Sequence, residues 1–265
     1  MEKAVIFGAF EFLGFHFCKK ILDEGIEVVG FQHGRNEESD LVEEKRMEIG
    51  RNANFSLKDL DKETLVNEKV TIIVDFYDFF IKEQEEQFFQ CKKFEKLAKS
   101  INQDGSKIII LIPYIIKVKE QYNEQYSKLK DKINLIKKEN ILVQSVFLPT
   151  IYGPWQSEKF LFQQALLSGG KLSQISDREW TGDALYVDDV VKEIMKLIEE
   201  DKDTFLLKSG EQDAWGKCAM YLNISYEPLQ VEIGEYTGEE RIIGMSSYED
   251  ALEKQKLLVK TLRLQ

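Results

Sequence analysis

The stretch Ala4-Val-Ile-Phe-Gly-Ala-Phe-Glu-Phe-Leu-Gly-Phe-His-Phe17 decides the fold of this chain. It begins with a short apolar run, turns at Gly8-Ala9 and continues as a helical pattern to about Glu24. A buried strand that turns sharply into a helix is typical of the start of a doubly wound α/β sheet. The first turn of such a helix presents free N–H groups and a partial positive charge, which suit a phosphate.

Strand and helix patterns alternate through the first half of the chain. Continuous Ile/Val runs such as Val70-Thr-Ile-Ile-Val74 predict strands that are buried on both faces, as in a parallel sheet. Helices are predicted at about 82–101 and 121–138. We therefore predict a Rossmann-like doubly wound parallel sheet over residues 1–148. A small C-terminal α/β subdomain, with elements that return to the Rossmann core, is predicted over 149–265.

Local signals predict three helix ends in the second half of the chain. Gly169-Gly170 suits a helix C-cap, and Ser247 suits the N-cap of the last helix. Asp188 or Asp189 can cap the helix that follows the short strand beginning at Ala184.

The charge and composition exclude several classes of protein. A formal net charge of −11 argues against non-specific nucleic-acid binding and against an anionic membrane surface as partner. No apolar run approaches the ~20 residues that span a bilayer, and no signal peptide precedes the first strand. The three cysteines are far apart, and the two histidines belong to no Cys/His cluster of the kind that binds zinc. We expect a cytoplasmic protein without a metal.

Four stretches, in this order, resemble motifs of the extended short-chain dehydrogenase/reductase family, the NAD-dependent epimerase/dehydratase group. They are Gly8-Ala-Phe-Glu-Phe-Leu-Gly14, Tyr126-Ser-Lys-Leu-Lys130, Leu148-Pro-Thr-Ile-Tyr-Gly-Pro154 and Gly182-Asp-Ala-Leu-Tyr-Val-Asp-Asp-Val-Val191. The resemblance implies an epimerase, dehydratase or reductase that uses NAD or NADP. Residues 1–148 would then form its dinucleotide-binding domain and residues 149–265 a small C-terminal α/β substrate subdomain. The resemblance also implies a small sugar-like or other carbonyl/alcohol substrate, with a nucleotide-sugar among the candidates.

The resemblance implies that Tyr126 and Lys130 are catalytic. A tyrosine, with an ordinary pKa near ~10, needs a neighbouring cation to act as an acid/base near neutrality. Lys130 lies four residues later on the same helix face and would supply that charge. Tyr122 shares this face, so a Tyr-x-x-x-Lys pattern can also arise by chance in a helix rich in tyrosine and lysine.

The same resemblance implies two sets of binding residues. The cofactor-binding positions are Gly8, Phe10, Gly14, Gln32, Arg35, Asp59, Leu60 and Pro149. The substrate-binding positions are Tyr114, Tyr152 and Arg178. The segment with Gln32 and Arg35 lacks the usual ribose-binding carboxylate, so it either favours NADP or is a solvated polar loop. Asp59 either binds near adenine or caps a helix.

Several positions depart from the family pattern. Glu11 stands where a dinucleotide turn has its middle glycine, and its charge would repel a pyrophosphate unless it points to solvent or pairs with Lys19 or Lys20. The segment Asp75-Phe-Tyr77 would crowd a dinucleotide, and Leu111-Ile-Pro-Tyr114 lacks the usual Ser/Thr hydroxyl.

These losses support a second hypothesis, a non-catalytic ligand-sensing or scaffold protein that has lost dinucleotide binding.

Family members often dimerise through the helices after the fourth and fifth strands. A homodimer of this chain would use apolar positions such as Phe88, Phe89, Phe94 and Leu97.

Overall fold

The computed structural model describes residues 1–31, 40–59, 68–101, 104–169, 175–225, 238–244 and 246–263. The strands in these ranges are β1 (Lys3–Phe7), β2 (Glu27–Phe31), β3 (Phe55–Lys58), β4 (Thr71–Val74), β5 (Lys107–Pro113), β6 (Leu142–Leu148), β7 (Thr150–Tyr152), β8 (Ala184–Tyr186), β9 (Thr204–Lys208) and β10 (Glu239–Ile242). The helices are α1 (Phe12–Asp23), α2 (Asp40–Ile49), α3 (Phe76–Ile81), α4 (Glu85–Phe89), α5 (Lys92–Ser100), α6 (Ile115–Val118), α7 (Asn123–Lys137), α8 (Leu161–Ser168), α9 (Val187–Leu197), α10 (Ala214–Tyr221) and α11 (Tyr248–Leu262).

Eight of these strands form one parallel sheet in the order β10-β9-β6-β5-β4-β1-β2-β3. The order reverses between β1 and β4, because the chain runs outward through β2 and β3 before it crosses back. Such a reversal opens a crevice at the carboxyl ends of the strands, where doubly wound proteins bind ligands. The predicted Rossmann-like α/β fold is confirmed.

The central strands are mainly apolar because helices cover both faces of the sheet. Val5 of β1 pairs with Ile72 of β4, and both side chains are fully buried. Phe7 contacts Phe88 and Phe94 at ring-centroid distances of 6.4 and 5.2 Å. The apolar residues predicted to be available to a dimer, Phe88 and Phe94 among them, are thus mostly buried within the chain itself, as is Leu97.

The second half of the chain contributes to two sheets. Strands β7 and β8 form a separate two-stranded parallel sheet, whereas β9 and β10 join the main sheet beside β6. The division of the chain at residues 148 and 149 stays a prediction. None of the helices in the described ranges combines the length and apolar character needed to cross a membrane.

The continuous helix predicted over 82–101 is wrong. Helix α3 begins directly after β4, since Asp75 caps it by accepting the N–H of Asp78, and the chain then breaks at Glu83, which has φ of 60°. Helices α4 and α5 are separated at Cys91, whose carbonyl accepts a hydrogen bond from Lys132 Nζ at 3.1 Å.

Two of the three predicted helix ends are confirmed. Gly169 closes α8 with φ of 66°, and the Ser247 side chain accepts the N–H of Asp250 at the start of α11. The predicted capping of α9 by Asp188 or Asp189 is wrong. These carboxylates lie in the first turn instead, where Asp188 contacts His16 and Asp189 contacts Ser246.

Candidate functional site

A cleft of about 1010 Å³ lies at the crevice where the strand order reverses. Its walls are the first turn of α1, one face of α2, the region from the end of α3 into α4, the segment 155–159 and the C-terminal helix α11. This volume is at the upper end of the range for small-molecule sites, roughly 300–1,000 Å³. The cleft is therefore large enough for an extended ligand.

Gly8 and Gly14 give the turn before α1 its shape. Gly8 has φ of +93°, a conformation that side-chain-bearing residues rarely adopt. A Cβ on Gly14 would lie 2.0 Å from the carbonyl oxygen of Gly8, so only glycine allows the helix to start so close to the strand. Gly8 and Phe10 line the cleft, whereas Gly14 lies behind it.

Glu11 pairs with Lys82 from the segment after α3. The expected partners are wrong, because Lys20 pairs with Glu24 at 3.0 Å and Lys19 pairs with Glu48. Burial opposes the charge on Lys82, but the carboxylates of Glu11 and Asp78 outweigh it and raise the pKa of the amine. The negative charge of Glu11 is therefore compensated inside the cleft.

Two buried carboxylates take up N–H groups at the N-terminus of α1. Asp75 Oδ2 accepts the N–H of Gly14 at 2.8 Å, and Asp78 Oδ2 accepts the N–H of Leu13 at 2.9 Å. Burial, together with the negative charge of Asp78, raises the pKa of Asp75 well above its usual range. Donors that would suit a phosphate at this helix end are thus already bonded to the chain's own anions.

Lys45 is a buried amine in the cleft wall that the sequence analysis missed. Its Nζ donates to the carbonyl oxygen of Phe10 at 2.7 Å and lies 5.5 Å from the Phe15 ring and 5.6 Å from the Trp155 ring. Burial lowers the pKa of Lys45 to about 8. Nothing in the sequence distinguishes this lysine from others in the polar segment around it.

Tyr77 connects the segment after β4 to the segment after β6. Its hydroxyl donates to the carbonyl oxygen of Pro149 at 2.9 Å and accepts the N–H of Ile151 at 3.0 Å. Its ring stacks on Phe160 with centroids 6.0 Å apart. The carbonyl oxygen of Pro149, a predicted cofactor contact, is therefore hydrogen-bonded to the bulky Tyr77 side chain from the segment after β4.

Tyr126 and Lys130 lie together on α7, outside the lining of the cleft. Lys130 Nζ is 4.7 Å from the centre of the Tyr126 ring. Burial raises the pKa of Tyr126, which opposes phenolate formation. Lys117 also belongs to this cluster. Burial, together with the positive charge of Lys130, lowers the pKa of the Lys117 amine, and Lys117 Nζ lies 5.7 Å from the centre of the Phe147 ring.

The predicted substrate-binding residues are dispersed. Tyr114 is buried with its ring 4.6 Å from Trp180, and Tyr152 is fully buried beside Cys218. Arg178 Nη1 lies 2.9 Å from Glu85 Oε1, and its guanidinium packs over Phe80 and Tyr122.

Three predicted cofactor contacts, Gln32, Arg35 and Leu60, lie outside the described residues. Asp59 directly follows β3 and is exposed. Within the described ranges, no group of three or more His, Cys, Asp or Glu side chains could hold a metal ion. All three cysteines are buried and free.

The sequence matches no known protein-family model and no curated protein. Solved structures are similar over almost the whole chain. One is the UDP-glucuronic acid 4-epimerase of Bacillus cereus in complex with NAD, with 15% identity, coverage of 98% of this chain and 99% of that chain, and a TM-score of 0.67. The dTDP-glucose 4,6-dehydratase of Bacillus anthracis in complex with NAD has 10% identity, coverage of 98% and 97%, and a TM-score of 0.63.

An NAD-dependent NDP-hexosamine 5,6-dehydratase of tunicamycin biosynthesis has 12% identity, covers 98% of both chains and has a TM-score of 0.67. At such low identity the likeness establishes the fold. This chain has the fold of the NAD-dependent epimerases and dehydratases of the extended short-chain dehydrogenase/reductase family. The resemblance predicted from the four motifs is confirmed at that level.

Proposed function

We propose that this chain is an NAD(P)-dependent epimerase, dehydratase or reductase that acts on a sugar-like or other carbonyl/alcohol substrate. The observation that carries the proposal is the glycine turn at the strand-order reversal, in a chain whose whole length superimposes on proteins that hold NAD. Similar structures with UDP-glucuronic acid or UDP-glucose support a nucleotide-sugar as the substrate class.

The residues present fit a dinucleotide in the shape of the turn. Gly8 and Phe10, which line the cleft, would hold it at the start of α1, and Gly14 would contribute by allowing the helix to start close to the strand. When bound, the nicotinamide would supply the acceptor or donor of a hydride. As the family resemblance implies, Tyr126 would hold the transferred proton on its phenolic oxygen, and Lys130, whose Nζ lies 4.7 Å from the centre of that ring, would supply the neighbouring positive charge.

The catalytic assignment predicts that Tyr126→Phe lowers turnover of an accepted substrate by ~10²-fold or more, the usual contribution of a positioned acid/base. Dinucleotide affinity should remain, because the ring stays in place. Steady-state kinetics and calorimetric titration would measure the two effects. Tyr122→Phe, at the residue directly before α7, is the matched control. Full activity in Tyr126→Phe would show that the assignment is wrong.

A second candidate function is a ligand-sensing or scaffold protein that no longer binds dinucleotide. The hydrogen bonds from Leu13 and Gly14 to Asp78 and Asp75 favour it, because they use donors at the phosphate end of α1. Thermal unfolding with millimolar NAD, NADH, NADP and NADPH separates the two candidates. Stabilisation by any of them supports the enzyme, and no shift with all four supports the second candidate.

We also propose a homodimer, as the family resemblance implied. Light scattering on the purified chain would give a mass of about twice 30.9 kDa for the dimer. Partly buried Phe89, rather than the fully buried Phe88 and Phe94, is the aromatic residue of α4–α5 that such an interface could reach.

A further inference from the structure

Asp75 and Asp78 differ in what they contribute to the fold. Asp75 uses both carboxylate oxygens, since Oδ2 accepts the N–H of Gly14 and Oδ1 accepts the N–H of Asp78 at 3.0 Å. It therefore satisfies donors at the start of α1 and caps α3 at the same time. These contacts are a sufficient structural reason for a buried carboxylate at Asp75.

Asp78 has a single N–H partner. Its Oδ2 accepts the N–H of Leu13, whereas its buried Oδ1 accepts no N–H among the residues that the structure describes. Its remaining partner is the carboxyl group of Asp75, and two buried carboxyls side by side are costly unless one keeps its proton, in line with the raised pKa of Asp75. Helix capping alone does not require a carboxylate at this position.

The two lysines near Asp78 already have partners within the chain, so neither is available to pair with a phosphate. Lys82 is paired with Glu11, and Lys45 donates to the carbonyl oxygen of Phe10. Phe12 lines the cleft at the first turn of α1, and behind it the fully buried Leu13 N–H is already bonded to the carboxylate of Asp78. A phosphate could reach this donor only by displacing that carboxylate. It would have to break one of the lysine contacts to gain a positive partner.

We propose that Asp78, which lies fully buried behind the lining of the cleft, limits dinucleotide affinity: its carboxylate is an internal ligand of the α1 N-terminus and holds the Leu13 N–H that a dinucleotide phosphate must take over. The inference rests on the proposed function, since it takes the cleft as a dinucleotide site. A helix N-terminus favours any anion, so the carboxylate and the phosphate compete for the same donor. Asp78 therefore lowers dinucleotide affinity more than Glu11, whose charge Lys82 compensates.

The test is Asp78→Asn, which keeps the size of the side chain and an acceptor for the Leu13 N–H but removes the charge. Calorimetric titration should show that the affinity for NAD or NADP rises by about tenfold or more, because a like charge is removed from a buried site. The melting temperature without ligand should stay the same or rise. A purely structural role for Asp78 would lower it.

Two further variants serve as controls. Asp75→Asn should lower the melting temperature, because Asp75 accepts N–H groups from two helices. Asp183→Asn changes another buried carboxylate, which accepts a hydrogen bond from the Ser209 hydroxyl and does not line the cleft. This variant should leave dinucleotide affinity unchanged. If Asp78→Asn does not fold, Asp78→Ser removes the same charge with a smaller side chain and should give the same gain.

The outcomes separate the two proposals. Equal dinucleotide affinity in the wild type and in a folded Asp78 variant would overturn the inference and leave the proposed function in place. No binding of NAD, NADH, NADP or NADPH by either protein would overturn both. Tighter binding by the Asp78 variant, with Asp183→Asn unchanged, is the result that we expect.

Discussion

Glu11 shows how a single residue can be recognised from sequence while its environment cannot. The glycine spacing marks a carboxylate at this position as unusual for a phosphate-binding turn. Its partner Lys82 lies 71 positions away, in a segment that the sequence predicted as part of a longer helix. Local spacing favoured Lys19 and Lys20 instead, because only tertiary packing brings the end of α3 to the cleft.

Removing Lys82 would leave Glu11 as an uncompensated charge in a partly buried site. Lys82→Ala is expected to lower the free energy of unfolding by about 1–2 kcal/mol, between the values for exposed and buried ion pairs. Urea denaturation measures it. Lys19→Ala, which breaks the more exposed pair with Glu48, is the control and should cost less. Equal losses in the two variants would contradict the role assigned to Lys82.

Glu179 gives the stability of the protein a pH dependence. It is fully buried, accepts the N–H of Leu161 and the indole N–H of Trp215, and its pKa is raised by burial to about 7. Between the ordinary pKa of 4.5 and pH 7 the unfolded chain loses this proton while the folded chain keeps it. The contribution of Glu179 to stability therefore falls as the pH rises through that window.

Glu179→Gln should remove this contribution. Relative to the wild type, the variant is expected to gain about 3 kcal/mol between pH 4.5 and pH 7.5, which corresponds to the upward shift in pKa. Urea denaturation at several pH values gives the difference. A difference between the two proteins that does not change with pH would contradict the raised pKa.

At the scale of elements, the C-terminal helix α11 is a structural part of the cleft wall. Gln255 on its buried face accepts the N–H of Gly153 at 3.0 Å and donates to Gln156 and Gln163 at 2.9 and 2.8 Å. These contacts join α11 to α8 and to the loop after β7. No sequence pattern predicts such a link, because each partner is at least 92 positions away.

Gln255→Ala would leave these polar groups buried without partners. We expect a loss of roughly 2–4 kcal/mol in the free energy of unfolding, since several buried hydrogen bonds are broken and a cavity forms. Differential scanning calorimetry would measure the change. Lys260→Ala, at an exposed position of the same helix, should have little effect, and a comparable loss there would mean that helix propensity and not the Gln255 contacts explains the result.

Elements with a strong apolar pattern could be predicted from the sequence, and elements held by tertiary contacts could not. Strand β4 lies within the predicted run Val70-Thr-Ile-Ile-Val74, so its prediction is confirmed. Strand β10 has the sequence Glu-Glu-Arg-Ile, with no apolar run, and exists through its pairing with β9 at the sheet edge. The break in the 82–101 helix depends on Glu83 in a left-handed conformation, which residue types alone did not indicate.

For the whole molecule, the fold could be predicted but the contents of the cleft could not. The layers of a doubly wound sheet need only apolar strands, amphipathic helices and a tight first turn, which is why 10–15% identity suffices for the shared fold. The cleft depends on a few contacts between distant segments, such as Lys82 with Glu11 and Asp78 with Leu13. These contacts form only once the folded sheet brings β1 and β4, and the segments that follow them, side by side.

If the cleft is a dinucleotide site, Asp78 behind its lining holds the Leu13 N–H that a phosphate would use. Calorimetric titration of the wild type and of Asp78→Asn with NAD, NADH, NADP and NADPH tests it most directly. We predict measurable, weak binding of at least one dinucleotide by the wild type and binding about tenfold or more tighter by the variant. Absence of binding by both folded proteins would show that the cleft is not a dinucleotide site.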